Sequence, residues 1–192
     1  VPEQRIEDGI VQFRVVMAHL SQVRVRGDAG GAERIIAGYL NQLADQPVFN
    51  RFDAERYLLL ASDLPGYIVR LTLRPTGDEP GEVFGDVTVQ RTPVYADFAF
   101  QNGGSTELGR WGGFARAQVV GLTGLADRTT LAAFATADFK EQKTIQLGHD
   151  FGLGADGLRV GGFVTYGWAN PTIPGASDPE ARTLVATVQG DY

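Results

Sequence analysis

The chain has 192 residues, no cysteine, 25 glycines, and 17 basic against 23 acidic side chains, a formal charge of −6. Its 43% apolar content supports a buried core and excludes disorder along the whole length, and the glycines keep no three-residue period, which excludes a collagen-like rod. Without cysteine there is no disulfide framework, thiolate zinc site or cysteine nucleophile, and the acidic balance argues against a nucleic-acid partner.

The opening VPEQRIEDGIVQF places charges ahead of any apolar run, so no signal peptide is expected there. No stretch of about 18 apolar residues occurs, so no transmembrane helix is expected; membrane β-strands, which alternate, pass such a filter unseen. Gly9 to Gly27 is β-branched and extended, and Gly30-Gly31 breaks the chain ahead of AERIIAGYLNQLADQ. In that run Ile35, Ile36, Tyr39, Leu40 and Leu43 fall on one helical stripe, and Pro47 ends it. Asn50 and Asp53 are candidate N-caps of a second helix that carries Leu60 and Leu64 and stops at Pro65-Gly66, a tight turn needing positive φ at the glycine. YIVRLTLRPT and VFGDVTVQRT then read as two strands joined by a hairpin. The order β-α-α-β-β over residues 1–92 predicts an α+β domain with two helices on one face of a small mixed sheet.

From Pro93 helical periodicity gives way to six strand-length segments separated by Gly-, Asp- and Pro-rich turns. One face of these segments collects Val94, Ala96, Phe98 and Phe100, then Leu131, Ala133, Ala135, Ala137 and Phe139, then Ile145 and Leu147, then Val160, Val164, Tyr166 and Trp168. The other collects Asp97, Arg110, Arg116, Gln118, Asp138, Gln146, Asp150 and Arg159. Strands of about 9–13 residues exceed the ~5–6 of soluble sheets and suit a tilted bilayer crossing. Small residues on the apolar face and aromatics near strand ends (Tyr95, Trp111, Phe139, Phe151, Trp168) point the same way. So do the mid-segment glycines 112, 113, 148, 161, 162 and 167, which relieve bending in a curved wall. Residues 93–192 are therefore read as antiparallel β, a partial transmembrane β-barrel: six strands fall short of the roughly eight needed for closure, so a longer protein is expected. The alternative is a soluble binding or adhesion module, a small α/β domain joined to a β-sandwich.

The run PVFNRFDAERYLLLASDLPGYIVRLTLRPTGDEPGEVFGDVTV, above all Leu58 to Gly66 (LLLASDLPG), resembles the second polypeptide-transport-associated (POTRA) domain of the haemolysin activation/secretion family, the outer-membrane transporters of two-partner secretion. FQNGGSTELGRWGG, GLTGLADRTTL and LGADGLRVGGFVTY resemble the first barrel hairpins of that family, so the likeness runs from residue 9 to about 170. It implies a protein of the bacterial outer membrane with the POTRA domain in the periplasm, one that receives an unfolded secreted exoprotein and passes it through the barrel without nucleotide hydrolysis. Its partners would be that exoprotein and outer-membrane lipid, with no small-molecule substrate, cofactor or metal. A POTRA sheet edge can take up an extended chain by β-augmentation. Tyr67 to Arg74 (with Tyr67, Val69 and Leu71) and Val83 to Gln90 are the candidate edges, beside a groove at Tyr39, Leu40, Leu43 and Tyr57. Arg110, Arg116, Asp138, Asp150 and Arg159 are the candidate lumen-facing residues, over which a hydrophilic chain slides.

An enzymatic reading finds little footing. His149-Asp150 with Ser105 or Ser177 suggests a hydrolytic triad, but neighbours on a strand point to opposite faces. His19 stands alone, and Asp150, Asp156 and Asp178 lack calcium-loop spacing, so no catalytic, cofactor or metal residue is assigned.

Overall fold

The computed structural model describes Phe13 and residues 15–77, 79–175 and 179–192, and within them two helices and nine strands. The extended segment expected from Gly9 begins outside the described residues; within them the first strand is β1, His19–Gly27. Helix α1 (Glu33–Ala44) buries Ile35, Ile36, Tyr39, Leu40 and Leu43, the stripe its 3.6-residue spacing predicts. Helix α2 (Arg51–Ser62) is capped by Asn50, whose side chain accepts from the Phe52 N–H at 3.0 Å. Strands β2 (Tyr67–Pro75) and β3 (Glu82–Arg91) form the expected antiparallel hairpin, and β1 pairs with β3 in parallel, so the sheet order is β1-β3-β2. Both helices pack on one face, with Val87 and Val89 of β3, Val69 and Tyr67 of β2, and Leu20 in a common core. β3 is thus the central strand: Val83 to Gln90 is not an edge, because the parallel β1 covers the side that the hairpin leaves open.

Gly66 takes φ +75°, as a turn closing α2 onto β2 requires. Thr92 then passes the chain directly into the second sheet, a six-stranded antiparallel meander: β4 (Val94–Gln101), β5 (Gly112–Val120), β6 (Arg128–Thr136), β7 (Gln142–Leu153), β8 (Leu158–Ala169) and β9 (Ala181–Asp191). It is one open sheet with β4 and β9 as its edges, and no second sheet lies on it among the described residues, which corrects the sandwich alternative. β6 stops at Thr136. Ala137, Asp138 and Phe139 belong to the following turn, where Phe139 adopts φ +58°, so the strand ends three residues earlier than its alternation predicts.

Candidate functional site

The ladder registers fix the two faces of the large sheet. Ala96, Ala117, Leu131, Leu147, Val164 and Ala186 are successive direct partners and form an unbroken apolar row across all six strands. Flanking rows add Phe98, Ala115, Ala133, Ile145, Tyr166 and Leu184. Apart from the half-buried Tyr166 these side chains are exposed: Phe98 is 76% accessible, Leu147 58% and Leu184 68%. A contiguous apolar surface of this kind needs a nonaqueous partner. His149 sits on this face, with Thr129 Oγ1 at 2.9 Å from Nδ1, and Asp150 on the other, so they form no catalytic pair. Ser105 lies in the β4–β5 loop, accepting from Leu108 N–H, and Ser177 and Asp178 fall outside the described residues. Among the described residues no cluster of three potential metal ligands occurs.

The opposite face is tied together by side chains that are cross-strand partners. Arg116 Nε donates to Asp97 Oδ1 at 2.8 Å, Gln118 to Thr130 Oγ1 at 3.1 Å, and Gln146 to Thr165 Oγ1 at 2.9 Å. Asp150 lies between two guanidinium groups, accepting from Arg128 Nε at 2.9 Å and from Arg159, which also donates to the Ala126 carbonyl. Of the expected lumen-facing residues, Arg116, Asp150 and Arg159 share this face, while Arg110 sits in the β4–β5 loop and Asp138 in the β6–β7 loop. Arg128 was not foreseen; its signal is the opposite-charge alternation with Asp150 and Arg159 once the β6–β7 register is known. The face also carries Phe114, Phe134 and Phe163. Phe134 lies over Gly112, where a Cβ would come within 2.7 Å of the ring, so an aromatic covers the backbone a glycine leaves bare.

The α/β domain sits against the turns at one end of this sheet. Arg91 of β3 donates to the Val120 carbonyl at 3.1 Å and pairs with Asp28 at 3.3 Å. Leu60 of α2 covers Gly157 in the β7–β8 turn, and Gly38 of α1 leaves room for Ala155. Val120 and Ala126 are buried in the same cluster as α1 and the small sheet. Burial pushes the Tyr39 hydroxyl above its ordinary pKa, an effect the nearby Arg159 partly offsets.

In the β5–β6 turn Asp127 is fully buried, accepting from the Leu122 N–H (3.1 Å), the Thr123 N–H (2.8 Å) and the Thr123 hydroxyl (2.6 Å). Burial alone would raise its pKa; these donors outweigh it and leave the carboxyl below its ordinary value. A depressed folded pKa contributes stability above the unfolded value of about 3.9 and loses it as pH falls through the folded one. Asp127→Asn is expected to lose about 2 kcal/mol near neutral pH and to flatten the acid limb below about pH 4, both read from urea unfolding at a series of pH values.

The residues expected to line a peptide groove lie elsewhere. Tyr39, Leu40, Leu43, Tyr67 and Val69 are buried in the domain core, and Tyr57 and Leu71 are half-buried against it. Their stripe packs helix on sheet, and of these residues Leu71 lines an open groove between α2 and β2, together with Leu58, Leu59 and Leu73. What β2 leaves open is its backbone edge, since among the described residues it has a strand neighbour on one side only.

No family model and no curated protein matches the sequence. Solved structures do match the arrangement just described. CdiB from Escherichia coli superposes with a TM-score of 0.65 over 88% of this chain at 19% identity, and CdiB from Acinetobacter baumannii with 0.57 over 91% at 13%. BamA from Haemophilus ducreyi, in a form lacking POTRA domains 1–3, gives 0.62 over 89% at 12%. The fold is that of CdiB and BamA. The resemblance carried by LLLASDLPG is therefore borne out at the level of the fold, since the matches take in the helical unit and the meander together. This CdiB-like chain spans about a third of the length of each structure it matches: 31%, 34% and 32%.

Proposed function

We propose that the chain is the periplasm-to-membrane part of an outer-membrane protein translocator of the two-partner secretion type. In this reading residues 1–92 form a POTRA domain that meets an unfolded exoprotein, and residues 93–192 form barrel strands lining its path. One observation carries the reading: a single sheet with an apolar, aromatic-rich face backed by an ion-paired polar face, joined through its turns to a β-α-α-β-β domain. The fold shared with CdiB supports it.

The chemistry required is modest. The apolar face meets lipid, while Arg116, Asp150 and Arg159 present paired charges to a wet lumen, where neutralised carboxylates and guanidinium groups offer a sliding chain little to stick to. The free edge of β2 supplies main-chain donors and acceptors that read no side chain and so tolerate any unfolded sequence.

The absence of cysteine makes the membrane half directly testable. Spin labels on cysteines introduced at Leu147 and Val164 are expected to be relaxed by oxygen, and labels at Gln146 and Thr165 by a water-soluble nickel chelate, when the protein is in outer membranes. Equal relaxation of the two sets by the chelate would reject the lipid-facing assignment. A photocrosslinker at Thr72 on the β2 edge is expected to capture unfolded exoprotein, while one at Thr88 in the central strand captures less.

A further inference from the structure

The face of the small sheet turned away from the helices is strongly basic in an otherwise acidic chain. Core-facing positions are Val23 and Val25 of β1, Val87 and Val89 of β3, and Val69 and Leu71 of β2. Alternation therefore places Arg24 and Arg26 of β1 and Arg70 and Arg74 of β2 on the other face, with Thr72 between the latter pair. The registers arrange them in rows: Arg26, Thr88 and Arg70 lie across the three strands, then Arg24, Asp86 and Thr72, then Gln22, Phe84 and Arg74. All four arginines are exposed.

Two carboxylates share this face against the four arginines, so positive charge remains in excess. Glu82 is turned to the Thr76 hydroxyl at 2.6 Å. Asp86, mostly buried, takes Arg26 Nε at 3.1 Å and Arg74 Nε at 3.7 Å. The two arginine side chains nonetheless remain 55% and 60% accessible, so each keeps exposed surface for a further anion. A guanidinium group carries a planar fork of five donors that suits carboxylates, so an arginine beside Asp86 can still pair with a second one.

Resting on the translocator reading, we infer that this face selects acidic segments of the exported polypeptide, laid as a fourth strand along the β2 edge. A strand added there puts alternate side chains beside Arg70 and Arg74. These two lie four residues apart, about 13 Å along the strand, so carboxylates at positions i and i+4 of an extended segment meet both. Backbone pairing then supplies sequence-tolerant attachment, and the arginines supply preference and attraction at a distance.

The test uses the full chain in a nonionic detergent and a fluorescein-labelled nine-residue peptide of alternating threonine and glutamate, with glutamine and lysine counterparts, read by anisotropy. The glutamate peptide is expected to bind about tenfold tighter than the glutamine peptide at about 50 mM salt, with the difference vanishing near 0.5 M. The exposed double variant R70Q/R74Q, which disturbs no core contact, is expected to bind both peptides equally; R70E/R74E is expected to prefer the lysine peptide. Equal binding of glutamate and glutamine peptides to the unaltered chain overturns the acidic selectivity and leaves edge pairing standing. Failure of all three peptides to bind overturns both. Retention of the glutamate preference in R70Q/R74Q, or capture of phosphatidylglycerol vesicles with no peptide preference, overturns the assignment to these arginines.

Discussion

Gly66→Val is expected to destabilise the α/β domain by at least about 3 kcal/mol and to lower its melting temperature by roughly 12–24 °C. Two costs add. A β-branched residue at φ +75° is held in a region it rarely occupies, at about 1–2 kcal/mol. A Cβ there also comes within 2.9 Å of Val120 Cγ2 and 3.1 Å of the Thr92 carbonyl, and the Gly66 carbonyl is pinned by the Thr92 N–H at 2.8 Å, so the turn has no room to yield. A comparison separates the costs. Gly77 has a similar φ of +87° with nothing within 4 Å of a built Cβ, so Gly77→Ala should lose only the conformational part, about 1 kcal/mol, and Gly66→Ala distinctly more. Equal melting of the two alanine variants would show that the contact with Val120 is not tight. Because Val120 belongs to the large sheet, the loss at Gly66 is also expected to loosen the seat of the domain on the β5–β6 turn, seen as faster amide exchange at Gly121 and Leu122.

The second large effect is directional. Leu147 sits in the middle of the apolar row and Gln146 beside it points to the other face. On the proposed lipid-facing reading, Leu147→Arg is expected to cost up to about 2–4 kcal/mol and to deplete the protein from the outer-membrane fraction of a Gram-negative host. Gln146→Arg adds the same charge one residue away, next to the Thr165 hydroxyl in a polar row, and is expected to leave that fraction near the unaltered level. Equal depletion by both would mean that the two faces do not differ in solvent. The pair controls for helix or strand propensity, net charge and side-chain size, so only orientation is being compared.

Much of the architecture was legible in the residues. Period-two alternation assigned Val94 through Trp168 to a common face, and the registers place the partners of Leu131, Leu147 and Val164 there. Positive φ at Gly66 and the Asn50 cap were readable because turns and helix ends depend on single residues. What was hidden is nonlocal. An apolar helical stripe such as Tyr39, Leu40 and Leu43 looks the same whether it lines a groove or fills a core, and only the position of the sheet decides. The parallel pairing of β1 with β3, which turns β3 from an edge into a centre, has no local signature, since it joins residues about 60 apart. Arg128 and Asp127 carry no local mark of their roles: the donors of Leu122 and Thr123 and the carboxylate of Asp150 become partners only after the strands pair. Arg110 and Asp138 were assigned to strands because their alternation continues past the point where the ladder ends.

The short passage from β3 to β4 has a mechanical consequence. Only Thr92 and Pro93 separate the central strand of the small sheet from the edge strand of the large one, with the Pro93 carbonyl held by the Val120 N–H at 2.9 Å. Besides the contacts at the β5–β6 and β7–β8 turns, this link couples the two sheets through the backbone: tension carried by it runs into the start of β4, whose eight residues have a single paired neighbour among the described residues. Such a load shears the β4–β5 ladder, with its hydrogen bonds sharing the force together instead of opening one after another as they would in peeling. An edge strand is thus loaded in the direction in which its ladder resists best, and on the proposed reading a polypeptide drawn past the domain would load β4 in shear and not in peeling.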